Sequence, residues 1–276
     1  MPGGERATRA RPAAPSVLVL YRLAVALPVS AWLAAGLPGW RGHPPGLSLA
    51  EAAGWVLVLA LLELLPAPRR GGPGLSVAFA AQAAIAVLYA PQVAATLAFL
   101  GAVEVARPRR PGALLRAWSH RAEQALVVAL GSATFRLLGS VAAPWPRLLA
   151  AGLASALLMH AAASGFLAVE EHLAAGTGIW EALVRMERAS PYPFPGDVPG
   201  LGWFGLPAAR LYQAEGLWPT LLLLGLLWYG RKMCLRSCDL ADQLKAQNEL
   251  LASQSRELRG HLAREQQTVA ELQRLM

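Results

Sequence analysis

Cysteine, asparagine and charge are what this 276-residue chain has least of: it holds two Cys, a single Asn, and a charged fraction of only 15%. With Cys234 and Cys238 alone, no disulfide framework can hold the fold. The pair stands four residues apart in RKMCLRSC, on one helix face, where plain surface residues, a lipidated juxtamembrane site and an inter-subunit disulfide all remain open readings. No histidine or further cysteine stands at ligand spacing beside them, so no zinc site is read there. The signatures of soluble enzymes are also missing: there is no phosphate-binding glycine loop, no G-x-S-x-G elbow and no H-E-x-x-H. The chain is therefore not read as an enzyme, and no catalytic residue, cofactor or metal is assigned. A compact basic domain is lacking too, so the formal net charge of +8 does not point to nucleic acid.

What the chain does have is apolar sequence. Hydrophobic residues make up 55% of it, too many for an ordinary soluble domain carrying so little charge. The charges are unevenly spread, with fourteen of them between Arg231 and Met276. Three parts follow: a basic N-terminal segment over residues 1–15, a membrane domain over 16–230, and a juxtamembrane helix with a coiled coil over 231–276. The fold class expected is all-α, a polytopic transmembrane bundle with a helical tail.

Apolar stretches at 16–36, 50–65, 75–89, 92–106, 118–138, 148–169 and 216–230 are the clear candidate spans. The first exceeds the core of a signal peptide and reads as a retained anchor. The third and fourth meet at YAPQ, where Pro91 lacks an amide donor and Tyr89 suits an interface, which predicts a tight hairpin. Arginines mark alternate connections: Arg6, Arg9 and Arg11 before the first span, Arg69 and Arg70 after the second, and Arg107, Arg109, Arg110 and Arg116 after the fourth. By the positive-inside rule the N-terminus is cytoplasmic. Arg231, Lys232 and Arg236 directly after the last span put the tail inside as well, which requires an even number of crossings. The segment 198–212, VPGLGWFGLPAARLY, supplies the missing one as a short, Gly- and Pro-broken helix covered by its neighbours, giving about eight. The expected location is the bacterial cytoplasmic membrane, with lipid as an obligatory partner.

Ionisable residues within such spans are costly. Arg22, Glu63, Glu104 and Glu123 all fall toward the cytoplasmic ends of their helices, and Glu170 with Glu171 ends the sixth at the same level. Structural pairing, for instance of Arg22 with a neighbouring glutamate, competes with a polar cluster that couples the bundle to the tail. Deeper polar residues are Gln82 and His160, the latter in LLMHAAASGFLA among small residues that let helices approach closely. These two, with Arg136 near the outer end of the fifth span, are the ligand-sensing candidates. The competing reading makes Gln82 and His160 hydrogen-bonded packing residues and lets Arg136 snorkel to the interface.

The tail fits heptads with Ala241, Asn248, Ser255, Leu262, Val269 and Met276 at a and Leu244, Leu251, Leu258, Glu265 and Leu272 at d. The seam is a weak one, interrupted by Ser255 and Glu265, and a buried Asn248 would favour a parallel two-stranded pairing. A homodimer joined through the tail is expected. A marginal seam can shift register under a modest bias.

Three stretches together resemble a known family: LSVAFAAQAAIAVLYAPQVAATLAFLGAV as a short hairpin, LLRAWSHRAEQALVVALGSATFRLLG after an arginine-rich loop, and the exit GLWPTLLLLGLLWYGRK leading into a helical linker. In layout and texture, from Ser16 to Met276, the chain resembles the N-terminal membrane sensor modules of bacterial HD-GYP and GGDEF cyclic-di-GMP signalling proteins. The resemblance implies a sensor that passes a signal to a cyclase or phosphodiesterase domain. No G-G-D-E-F string and no H-D with G-Y-P occurs here, so it transfers no catalytic residue and leaves the output to a partner or to a domain not present in this chain. Two other readings compete. A small transporter or substrate-binding membrane subunit working with a partner ATPase would use His160 and the broken 198–212 segment as a mid-membrane site but has little use for a coil. A membrane scaffold would use the coil as a protein-binding surface and be indifferent to His160 and Gln82.

Overall fold

Prolines start two of the helices and a glycine closes the longest one in the apolar part of the chain. Pro91 lies in the first turn of one helix, where a missing N–H costs nothing. Pro146 does the same for another, which ends where Gly176 takes the left-handed conformation (φ 70°) and its N–H returns to the His172 carbonyl. The computed structural model describes residues 15–40, 47–64, 78–103, 112–189 and 197–275. Glu104, Arg41, the basic residues of the N-terminal segment and the arginines at 69–70 and 107–110 lie outside the described residues. In chain order the helices are α1 (Pro15–Trp40), α2 (Leu49–Leu64), α3 (Ala78–Leu88), α4 (Pro91–Gly101), α5 (Ala113–Leu138), α6 (Trp145–Ala175), α7 (Ile179–Ala189), α8 (Asp197–Glu215) and α9 (Leu217–Leu275). Among the described residues every regular element is a helix. The chain forms two compact units, Met1–Leu227 and Trp228–Met276, so α9 contributes its first turns to one and the remainder to the other.

Among the described residues two helical stretches can cross a membrane by length and composition, Ser16–Gly36 in α1 and Trp145–Ala175 in α6; Ala78–Leu88, Pro91–Gly101 and Leu217–Gly230 are shorter apolar helices. The eight crossings expected are thus not eight helices of spanning length. The reason is visible in α4, 11 residues between its caps, about 16 Å at the α-helical rise and roughly half a hydrocarbon core.

In the first unit α5 is central and packs against α1, α3, α4 and α6, while α3 lies between α5 and α8. Every residue from Ala78 to Val87 of α3 is buried. Its alanines allow that, since small side chains let backbones come together. The approach of α8 is closest at Gly205, where an added Cβ would stand 2.6 Å from the Ala83 Cβ and 3.1 Å from the Ala84 nitrogen. Leu206, the next residue, fills the space beside Gly152 of α6.

Matched contacts give the helix directions. Gln82 meets Gln124 and the Tyr89 carbonyl meets Ser132, so α3 and α5 run the same way. Gly205 meets Ala83 and Tyr212 meets Tyr89, so α8 runs with them. Gly139 meets Ala151 while Gly131 meets Met159, so α6 runs opposite to α5. At the start of α2, Ser48 and Glu51 form a capping box: the Ser48 N–H donates to the Glu51 carboxylate (2.7 Å) and the Glu51 N–H to the Ser48 hydroxyl (3.2 Å). In α9, Thr220 and Leu224 are buried while Trp218, Leu222 and Leu226 are exposed, and Leu217 sits where a side chain on Gly54 of α2 would be.

Candidate functional site

The first turns of α1 carry two polar side chains in an otherwise apolar run, and both are used. The Arg22 guanidinium donates through Nε (3.0 Å) and through Nη2 to the same Glu170 oxygen at the end of α6, with both side chains mostly buried. One residue earlier the Tyr21 hydroxyl donates to Glu123 of α5 (3.3 Å), a residue only 7% exposed. Of the four residues expected as a charge cluster, Arg22 and Glu123 thus lie at neighbouring positions joined through α1. Glu63 does something different: its carboxylate accepts the Val103 N–H just past the end of α4, tying that end to the end of α2. Next to Glu170, Glu171 accepts from Arg185 of α7 (2.7 Å). The side chain at 104 lies outside the described residues. Charge-assisted contacts of this kind are the strong class of hydrogen bond and offset part of the cost of holding charge away from water.

Gln82 is the polar residue of buried α3, and its amide donates to the Gln124 amide oxygen of α5 at 3.0 Å. The structure thus joins Gln82 to α5. His160 is half-buried on α6, one residue after Met159, whose side chain fills the space beside Gly131. Ser155 one turn earlier donates to the Gly131 carbonyl (2.8 Å), so this face of α6 is bonded to α5 through that hydroxyl. Arg136 is exposed near the C-terminal end of α5.

A second polar group was not anticipated. Trp55 of α2, completely buried, donates its indole N–H to the Tyr89 hydroxyl (3.0 Å), and the Tyr89 carbonyl accepts from Ser132 of α5 (2.7 Å). Tyr212 near the end of α8 packs its ring 5.2 Å from Trp55 and 6.5 Å from Tyr89. Close by in the fold, Arg210 donates to the Val141 carbonyl (2.8 Å) and Arg147 to the Leu138 carbonyl (3.0 Å) at the connection between α5 and α6. Interfacial aromatics were read at Tyr89 alone; Trp55 and Tyr212 carried no sequence signal that joined them to it.

Within the second unit, Leu244, Leu251, Leu258 and Leu262 of the proposed seam are each more than half exposed, and Asn248 is exposed among them. The side chains of Val269, Leu272, Cys234 and Cys238 lie outside the described residues. Lys232 stands 4.8 Å from the centre of the Trp228 ring, a cation–π contact.

Chemically the arrangement holds helices in register by ion pairs, amides and aromatic hydrogen bonds. Among the described residues no group of three or more His, Cys, Asp or Glu could hold a metal ion. No family model, no curated protein and no solved structure matches this chain.

Proposed function

We propose that the chain is an integral membrane sensor and signal-transmission module of the bacterial cytoplasmic membrane, dimeric through its tail, which hands a signal to an output partner. Its supports are physical. The apolar windows of α1 and α6 are only 17% and 28% buried, whereas the core helix of a soluble protein is mostly covered. The observation that carries the membrane reading is the exterior of α6, with Leu153, Leu157, Leu158 and Leu167 exposed between Arg147 at one end and Glu170 at the other. At the α-helical rise that stretch measures about 35 Å, against roughly 30 Å of hydrocarbon. Such a surface suits lipid better than water.

Crossing parity has support as well. Because α8 runs with α3 and α5 and against α6, it returns the chain to the side from which α6 began, and α9 starts there. This return favours an even count of about eight passes, in which α4 is too short and the Pro207-containing α8 too broken to be stable in lipid without cover from longer neighbours. The buried Arg22–Glu170 pair, joining the first helix to the sixth, is the contact through which a change in packing would be felt. The exposed leucines at heptad spacing in the tail are the surface on which a second copy pairs. The resemblance to cyclic-di-GMP signalling proteins suggests the class of output partner.

The test is cross-linking in native membranes of Asn248→Cys, in a chain whose Cys234 and Cys238 are replaced by Ser. Oxidation should give a disulfide-linked dimer. A chain that stays monomeric at every oxidant concentration would sink the dimeric reading.

A further inference from the structure

We infer that α7 is an interfacial docking helix, seated in the headgroup and upper acyl region of a lipid bilayer by Ile179, Trp180 and Leu183. The inference rests on the membrane reading above and extends it to an element that reading does not use. At helical periodicity the residues of α7 fall on three sides. Ala182, fully buried, and Arg185, bonded to Glu171, form the side against α6. Ile179, Leu183 and Trp180 share an arc of about 100° on another side, onto which the helical period also puts Glu187 of the last turn. There Ile179 is 43% exposed and Trp180 76% exposed, while Leu183 is half-buried. The third side begins at exposed Glu181, which accepts from the Gly178 N–H.

The depth of the helix follows from its attachment. Arg185 reaches Glu171, one turn before the end of α6, so α7 stays at the level of that end. Glu170 beside it holds Arg22 at the same level. The exposed arc of α7 is therefore at the level where the exposed leucines of α6 end, at Leu167. A tryptophan at such a boundary has an apolar body for the acyl region and an N–H for the headgroups. The occupant is the bilayer itself and not an anionic headgroup in particular. Glu181 and Glu187 balance Arg185 and Arg188, so α7 carries no net charge and docks by apolar area alone.

Nitroxide labelling of the full chain in phosphatidylcholine vesicles tests this, with Cys234 and Cys238 replaced by Ser and single labels at Trp180→Cys, Glu181→Cys and Leu157→Cys. Collision with oxygen should dominate at 180 and at 157, and collision with a water-soluble nickel chelate should dominate at 181. Addition of phosphatidylglycerol or salt should leave the label at 180 at unchanged depth. A label at 180 open to nickel while 157 remains shielded overturns the docking of α7 and leaves the membrane reading standing. Nickel access at 157 overturns both. A depth at 180 that follows anionic lipid content or salt overturns the apolar mode of docking.

Discussion

Gln82 is buried and Gln124 half-buried, so the Gln82 amide depends on Gln124 as its partner. Replacing Gln82 by Leu should lower the unfolding midpoint in detergent by an amount equivalent to about 0.6–2 kcal/mol, the span found for polar contacts between membrane helices. The double change Gln82→Leu with Gln124→Leu should recover most of it, because an apolar pair leaves no orphaned amide; a double variant as unstable as the sum of the singles would show that the bond between the amides contributes nothing. The same logic at charged strength applies to Arg22 and Glu170. Glu170→Gln should cost about 1.5–3 kcal/mol, the range for hydrogen bonds to charged groups, and thermal unfolding indistinguishable from the parent would mean that the guanidinium finds water there. At this scale the sequence exposed one half of each contact. A glutamine in an alanine run and an arginine in a leucine run are conspicuous, and Glu170 could be placed at the level of Arg22 by counting. Gln124 sits in the polar string HRAEQ, where nothing distinguishes it from its neighbours. Trp55, Tyr89 and Tyr212 come from three separate helices, and their meeting is a tertiary event without a local pattern.

Helices pack as closely as their smallest residues permit, and the contact between α3 and α8 is set by Gly205. Gly205→Val would drive a branched side chain into the Ala83 and Ala84 backbone, and overpacking of this kind costs about 1–3 kcal/mol. The expected result is a lowered melting temperature together with new protease cleavage within 197–215; a normal melt would mean that α8 slides aside without loss. The helix itself was legible: a short, Gly- and Pro-interrupted segment at 198–212 was read as a poor helix, and α8 occupies Asp197–Glu215 with Pro207 inside it. The hairpin at YAPQ was legible too, since proline at the start of α4 and a two-residue break reproduce the local rule. Nothing pointed to α7. Its apolar residues are spread round a helix between Glu181, Arg185, Glu187 and Arg188, so no apolar run is present to notice and only the helical period reveals a face.

For the molecule as a whole, the directions of α5, α6 and α8 make a sidedness claim. Ser140, in the connection between α5 and α6, should react with a membrane-impermeant maleimide on intact cells when replaced by cysteine. Gly178→Cys, between α6 and α7, should react only after the membrane is opened. Equal labelling of both positions from outside would end the topology proposed above. Crossing number was the least legible property, since hydropathy counts apolar stretches and does not reveal which of them are too short to stand in lipid unaided. In α3 this has a consequence for the order in which the molecule is made. Every side chain from Ala78 to Val87 is covered by protein, and a large share of that cover is α8, which leaves the ribosome long after α3 has. On the membrane reading, a helix with no lipid-facing surface of its own cannot take its final position when it emerges. It must wait near the interface or lie against α5 with one flank open until α8 arrives, so maturation of this bundle ends at its centre.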